Sequence, residues 1–403
     1  MLREVAGEGT LVGACYGHML AQSGEGAWRW PHLAIARVLD DERIDFLTGP
    51  PWTAAAPPVP SLPADAARNA GKLALERLTP AHPQRNAASA LVSGAGLMGD
   101  AATLAQLGAE ADALLADHQP EAQTPAVFVI DDLSARYLSP EGGLAPALLA
   151  RQMELWSRSG IACQVHTLRD VLDGRALRAR MYFFADLMTI APKDGSRLGS
   201  TVAREGAMLV WVYGAGSVAE GMITGRTMKY LTGIKLSLWP SRGSLQTRID
   251  AAASLPGSGL PGGVVYGLPA GAPRFFSADE SVEWLGTVTG IDPDADLQFC
   301  GLALKRFPDC TSVFSAAPLL PAGLIRGLAG RAEIAPTVDA SAGAWFGPGA
   351  MAVEGADAPR TLTLPGAVTV TDLRTGEVVA EARSSVTLSV PAGEIRLYAV
   401  ERQ

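Results

Sequence analysis

The chain has 403 residues, 48% hydrophobic and 18% charged, enough apolar content to bury roughly two or three cores. A formal net charge of −8, with no Lys/Arg run interleaved with aromatics, argues against a nucleic-acid partner. No apolar segment approaches the roughly 18 residues needed to cross a bilayer, and "MLREVAGEGTLVGACYG" lacks the apolar core of a signal peptide, so the expectation is a soluble, cytoplasmic protein with no membrane partner.

The first 120 residues alternate short apolar runs with helical ones. "LVGACYG" (11–17) reads as a strand, "HLAIARVLDD" (32–41) as a helix, "IDFLTGP" (44–50) and "GKLALE" (71–76) as further strands. "PPWTAAAPPVPSLP" is a Pro-rich loop that belongs outside any sheet. "GAGLMG" (94–99) is a formal G-x-G-x-x-G, but "NAASALVS" before it reads at least as well as helix. No acidic residue ends a second strand about 20 residues further on, so a Gly-rich turn is preferred to a dinucleotide site. "ATLAQLGAEADALLADH" carries Leu104, Leu107, Ala111, Leu114 and Leu115 on one helical face.

A second βα series starts at "AVFVIDD" (126–132). It continues through the helix "LAPALLARQMELWSRSG", with Gly160 as its stop, to "IACQVH", "MYFFADL" and "AMLVWVYGAG". Uninterrupted apolar runs of this kind predict parallel strands covered by helices on both faces. From about residue 336 the period changes to two, and "RTLTLPGAVTVTDLRTGEVVAEARSSVTLSVPAGEIRLYAV" predicts four short antiparallel strands, with turns at Pro-Gly, Thr-Gly and Ala-Gly.

The residues that carry chemistry are few. Cys15, Cys163, Cys300 and Cys310 lie far apart, with no C-x-x-C pair and no Cys/His spacing suited to zinc; they read as free thiols, and no metal or other cofactor is expected. The middle region resembles a flavodoxin-like, class I glutamine amidotransferase-like domain. Its turn after "MLVWVY" is Gly214-Ala215-Gly216, without a Cys, and no His follows His166, so amidotransferase chemistry is not expected. Asp131 and Asp132 end a strand and read as solvated or capping carboxylates rather than ligand contacts. Glu76 also ends an apolar run, and there a carboxylate is paired, exposed or used in chemistry.

"VFVIDDLSARYL", "MYFFADLMTIAP", "GAMLVWVYGAGSV", "TSVFSAAPLLPAGLIRGLA" and "LPGAVTVTDLRTGEVV" resemble, in that order, the trimerisation domain and terminal β domain of glycoside hydrolase family 42-type β-galactosidases. Upstream, "LVGACYGHML", "PHLAIARVLDDERIDFLTGP" and "AGKLALERLTPAH" resemble the last strands of that family's (β/α)8 barrel. The resemblance implies three domains: residues 1–120 as the C-terminal part of a barrel, 121–335 as a flavodoxin-like trimerisation domain, and 336–403 as a small β domain. It also implies that Glu76 matches the family's nucleophile, at the carboxyl end of the seventh strand, and that His82 keeps its place nearby. Leu78 and Pro80 stand where similar proteins tend to carry an acidic residue and an Arg, and the eighth strand is reduced to "AGLMGD".

A full barrel takes about 250 residues, so the resemblance leaves its early strands, with the acid/base Glu, outside this chain. Retaining hydrolysis needs two carboxyls about 5 to 5.5 Å apart. Tyr16, His18, His32 and Trp52 are candidates to line a sugar site through their aromatic faces, with Lys72 and His82 as further candidate substrate contacts; barrel and loop packing is the alternative for each. For Glu76 the alternative is an ion pair with Lys72 or Arg77. The expected function is retaining hydrolysis of a β-galactoside-like bond by a homo-oligomer, with a carbohydrate substrate and a second chain as a candidate source of the remaining barrel. The runner-up is a catalytically inactive oligomerisation or carbohydrate-binding subunit.

Overall fold

The computed structural model describes residues 13–15, 46–49, 67, 72–77, 87, 88, 90, 96–98, 107, 124–131, 133–138, 143–176, 178–204, 206–253, 255–290, 298–336, 343–347 and 349–402. They fall into two compact units, one formed by 1–122, 157–165 and 335–403, the other by 123–156 and 166–334.

In the first unit, β1 (Gly13–Cys15), β2 (Phe46–Gly49), β3 (Leu73–Arg77) and β4 (Gly96–Met98) form a four-stranded sheet in sequence order. All three pairings are parallel. Ala87, Ala88 and Ala90, between β3 and β4, are helical and fully buried, as the Ala-rich "NAASALVS" suggests. The preferred reading of "GAGLMG" as a turn is corrected here. Gly96–Met98 pairs with Leu75–Arg77, because backbone hydrogen bonding to a neighbouring strand outweighs the turn preference of isolated glycines. The helix read at 32–41 lies outside the described residues.

The second unit is built on a large mixed sheet. Its strands begin with β5 (Ala126–Ile130), β6 (Cys163–Thr167), β7 (Met181–Phe184) and β8 (Ala207–Val212). The hairpin β9 (Val218–Ala219) and β10 (Met222–Ile223) stands apart from the sheet. Next come β11 (Leu236–Trp239), β12 (Gly243–Ile249), β13 (Val265–Gly271), β14 (Arg274–Ser277), β15 (Glu283–Val288), β16 (Cys300–Arg306) and β17 (Cys310–Ser315). The main order is β13-β12-β15-β16-β17-β8-β7-β5-β6, with β14 pairing β11 and β16 off this path.

The β5/β7, β7/β8 and β8/β17 pairings are parallel, whereas β12 to β17 pair antiparallel among themselves. β5, β7 and β8 are buried at every position. By contrast β12 alternates buried and more exposed residues, as expected for a sheet with one wetter face. The antiparallel half was not legible from the apolar runs, because Gly and Pro interrupt β13 and β15 and the remaining strands between 236 and 290 mix polar with apolar residues.

Among the described residues six α-helices accompany the sheet: α1 (Leu144–Leu148), α2 (Ala150–Ser157), α3 (Leu168–Leu172), α4 (Pro192–Val202), α5 (Gly225–Thr232) and α6 (Ala322–Arg331). The expected single helix from 144 is interrupted at Leu149, which leaves helical geometry between α1 and α2. α3 begins with a capping box: the Asp170 amide donates to Thr167 Oγ1 (3.1 Å) while the Thr167 amide donates to the Asp170 carboxylate (3.2 Å). α4 opens on Pro192, whose fixed φ suits the first turn.

Alternate residues of the parallel strands form one core. Val127, Val129, Tyr182, Phe184, Leu209 and Trp211 face Leu168 and Val171 of α3 and Leu198 and Val202 of α4. The opposite side carries Phe128 stacked on Phe183 (5.1 Å), with Trp156 of α2 edge-on to both. Helices therefore cover both faces of the parallel strands.

The terminal sheet holds β18 (Ala344–Gly347), β19 (Ala350–Glu354), β20 (Arg360–Asp372), β21 (Val378–Leu388) and β22 (Ile395–Arg402), in the order β18-β19-β22-β20-β21. All the described pairings in this sheet are antiparallel. The stretch from Arg360 onward gives three strands rather than the four expected. Pro365-Gly366 lies inside β20 as an irregularity, where register shifts between Thr363 and Val368, and Gly366 takes a φ of 142°. A Pro-Gly that interrupts a ladder without reversing it is a bulge.

Candidate functional site

Glu76 is the fourth of the five residues of β3, next to its carboxyl end. Its backbone stands opposite Gly49 of β2 and Leu97 of β4, inside a parallel sheet where ligands gather at the carboxyl ends of strands. Lys72 immediately precedes the strand, half-buried, with its amide donating to the Ala67 carbonyl at 2.8 Å. Tyr16, His18, His32, Trp52 and His82 lie outside the described residues. Among the described residues of the first 122, Glu76 is the one carboxylate, and no cluster of metal-ligating side chains occurs among the described residues.

A second constellation sits at the carboxyl ends of β5, β7 and β8. β8 ends in Tyr213, whose φ of 60° places a bulky residue in the left-handed region, and Gly214-Ala215-Gly216 follows. A strained residue between a parallel strand and a tight turn is the geometry that exposes a nucleophile in hydrolase elbows. Here the side chain is a phenol that donates to the Pro273 carbonyl at 2.6 Å and packs edge-on against Phe275 at 4.9 Å. Burial pushes its pKa well above the ordinary tyrosine range, so no phenolate is available near neutral pH. The close fit extends to Gly214, where a Cβ would come within 2.8 Å of both Phe275 and Ser217 Oγ. Sequence reasoning located the turn but not its strained residue, because tyrosine carries no local preference for positive φ.

Below this turn, Asp131 acts as a capping carboxylate. Ser134 donates to it through its hydroxyl (2.6 Å) and its amide (3.0 Å). Ser134 Oγ in turn accepts from the Met188 and Thr189 amides, tying the ends of β5 and β7 together. Asp131 is buried, so of the two roles open to it the capping one is observed and the solvated one is not. Asp132 lies outside the described residues.

Cys300 and Cys310 offer no nucleophile. Desolvation pushes Cys300 up to about 12 and Cys310 up to about 11, so both stay protonated, and Cys163 is likewise free of any disulfide.

A cavity of about 420 Å³ opens beside the Tyr213 turn. Met188, Leu245 and Phe275 contribute apolar wall, and Tyr213, Ser217 and Arg242 contribute polar groups. None of these was singled out from sequence, because they come from separate segments between Met188 and Phe275 and carry no shared motif.

No protein-family model and no curated protein sequence matches the chain. Solved structures do. A β-galactosidase from Bacillus circulans sp. alkalophilus superposes with a TM-score of 0.64 at 14% identity, over 90% of this chain and 61% of that one. A GH42 β-galactosidase from G. stearothermophilus, solved as a catalytic mutant, gives 0.58 at 13% identity, over 91% of this chain and 61% of that one. In fold, the chain resembles the C-terminal part of the GH42 β-galactosidases.

An α-L-fucosidase isoenzyme from Paenibacillus thiaminolyticus also superposes, at 0.55 and 12% identity over 90% of this chain and 66% of that one. The chain thus spans less than two thirds of the length of these glycosidases. The fold match agrees with part of a barrel in β1–β4 and a terminal β domain in β18–β22. Among the described residues no helix is long and apolar enough to cross a membrane.

Proposed function

We propose that the chain belongs to a retaining β-galactosidase-type glycoside hydrolase and that Glu76 is its nucleophile. The observation that carries this reading is the position of Glu76 beside the carboxyl end of β3, in a parallel sheet whose fold neighbours are glycosidases. In this reading Glu76 attacks the anomeric carbon to form a glycosyl ester, and a second carboxyl first protonates the leaving oxygen and then deprotonates water. Residues 1–120 form the late part of the barrel, 121–335 a flavodoxin-like oligomerisation domain, and 336–403 a small β domain. The strand order β6-β5-β7-β8-β17 favours the flavodoxin-like reading, since it runs 2-1-3-4-5 in chain order with β9–β16 inserted before the last strand.

The second reading is an inactive oligomerisation or carbohydrate-binding subunit. It is favoured by Leu78 and Pro80, which stand where similar proteins tend to carry an acidic residue and an Arg.

The test uses a sugar whose departure needs no acid: a 2,4-dinitrophenyl 2-deoxy-2-fluoro-β-galactoside. Its leaving group departs unprotonated, so a nucleophile alone traps the sugar as an ester. Intact-mass measurement should show one added fluorogalactosyl group, peptide mapping should place it on Glu76, and Glu76→Gln should abolish it. No adduct, or an adduct that persists in the variant, rejects the nucleophile and leaves the inactive subunit.

A further inference from the structure

We propose that the cavity at the carboxyl ends of β5, β7 and β8 binds a small organic monoanion with an apolar body, of the alkyl or aryl carboxylate class. The site lies where open α/β sheets take ligands, in the crevice outside the carboxyl ends of their parallel strands. Its volume of about 420 Å³ falls within the range of about 300–1,000 Å³ usual for small-molecule sites.

Two polar groups in the cavity have no protein partner. Ser217 is 3% exposed and lines the cavity, yet among the described residues its hydroxyl meets no donor or acceptor. That hydroxyl is therefore free to bond an occupant of the cavity. Arg242, solvent-exposed at the mouth, lines the same cavity and makes no ion pair with any described residue, and no carboxylate is among the described lining residues. Tyr213 is already committed, its hydroxyl donating to Pro273.

The remaining wall selects the body of the ligand. Met188, Leu245 and Phe275 are buried apolar residues. At the rim, Tyr137 and Ile223 are each 51% exposed, large apolar surface left in water when nothing covers it. A dianion would need more than one cation. One carboxylate on Arg242, one hydrogen bond from Ser217 and an apolar body against the wall satisfy every group. The proposal stands independently of the role of Glu76.

The experiment measures binding of 4-phenylbutyrate to the full 403-residue chain by ligand-observed NMR titration, beside 4-phenylbutanol and galactose. Expected is saturable binding of the acid, weakened about tenfold or more in Arg242→Ala and in the alcohol, where the charge-assisted bond is lost. Ser217→Ala weakens it a few-fold. Arg248→Ala, which removes an exposed arginine of β12 that does not line the cavity, leaves it unchanged. Equal binding of acid and alcohol, undiminished binding in Arg242→Ala, tighter binding of galactose than of the acid, or no binding of the acid each overturns the proposal. Unfolding midpoints of the variants equal to the parent show that a loss of binding is not a loss of fold.

Discussion

Glu76 and Tyr213 both stand at the carboxyl end of a strand in a parallel sheet, and they divide between them what an active site requires. β3 offers a carboxylate in plain strand geometry, paired on both sides. β8 offers the strained turn of a nucleophile elbow and fills it with a buried phenol bonded to a carbonyl. The lesson is that backbone strain marks a place where chemistry can be held, whereas the residue type decides whether any is done. Function at one strand end should be separable from stability, and at the other it should not.

The widest separation is expected from Glu76→Gln. Capture of the activated fluorosugar should fall at least about 10³-fold, while the urea midpoint of the chain stays with the parent; a large loss of stability instead would make Glu76 a structural ion-pair partner. Within β8, Trp211→Ala should lower the unfolding free energy by about 3–5 kcal/mol. That ring stacks on Phe184 at 4.2 Å and donates to Ser312 Oγ at 3.0 Å. Urea unfolding followed by near-UV circular dichroism would measure it.

Asp279 supplies a control remote from either strand end. Burial raises its carboxyl, but Lys305 at 2.8 Å, the Ser281 hydroxyl at 2.6 Å and the Lys235 and Ser281 amides outweigh it and hold the group well below its ordinary 3.8. A depressed carboxylate contributes stability that is present above its unfolded value and lost as pH falls through the folded one. Stability should therefore decline below about pH 4, and Asp279→Asn should flatten that decline while costing about 1.5–3 kcal/mol at neutral pH.

Gly214→Ala comes next, at about 1–3 kcal/mol, because the new methyl group meets Phe275 and Ser217 at 2.8 Å. The smallest change is Tyr213→Phe, about 1 kcal/mol, for the lost bond to Pro273. Were Tyr213→Phe to reduce fluorosugar capture while leaving stability alone, the contrast between the two strand ends would fail.

Much of this architecture could be read from the chain. The apolar runs locate β1–β3, β5, β7 and β8, since a strand buried on both faces cannot hide its composition. "GAGLMG" misled because three glycines say turn while the neighbouring strand says sheet, and pairing decided. The strands β11 to β16 escaped because Gly or Pro breaks the period-two pattern in β13, β15 and β16, while β11 and β14 are only four residues long. At the site level, the placement of Glu76 beside a strand end was legible from a short run that stops on a charge. The Arg242–Ser217 cavity was not, since only the fold brings a residue before β12 near a turn after β8.

The pairing of β8 with β17 has a consequence for how the protein is made. Ala207 lies beside Cys310 and Val212 beside Ser315, so strands adjacent in the sheet are about a hundred residues apart in the chain, a separation that slows folding. At about 5–20 residues per second, a ribosome leaves β8 without that neighbour for on the order of ten seconds. During that interval the Ala207–Val212 edge, entirely apolar, is an open template for any other strand that reaches it first. The nascent chain should depend on a chaperone over that window, and the finished protein should not.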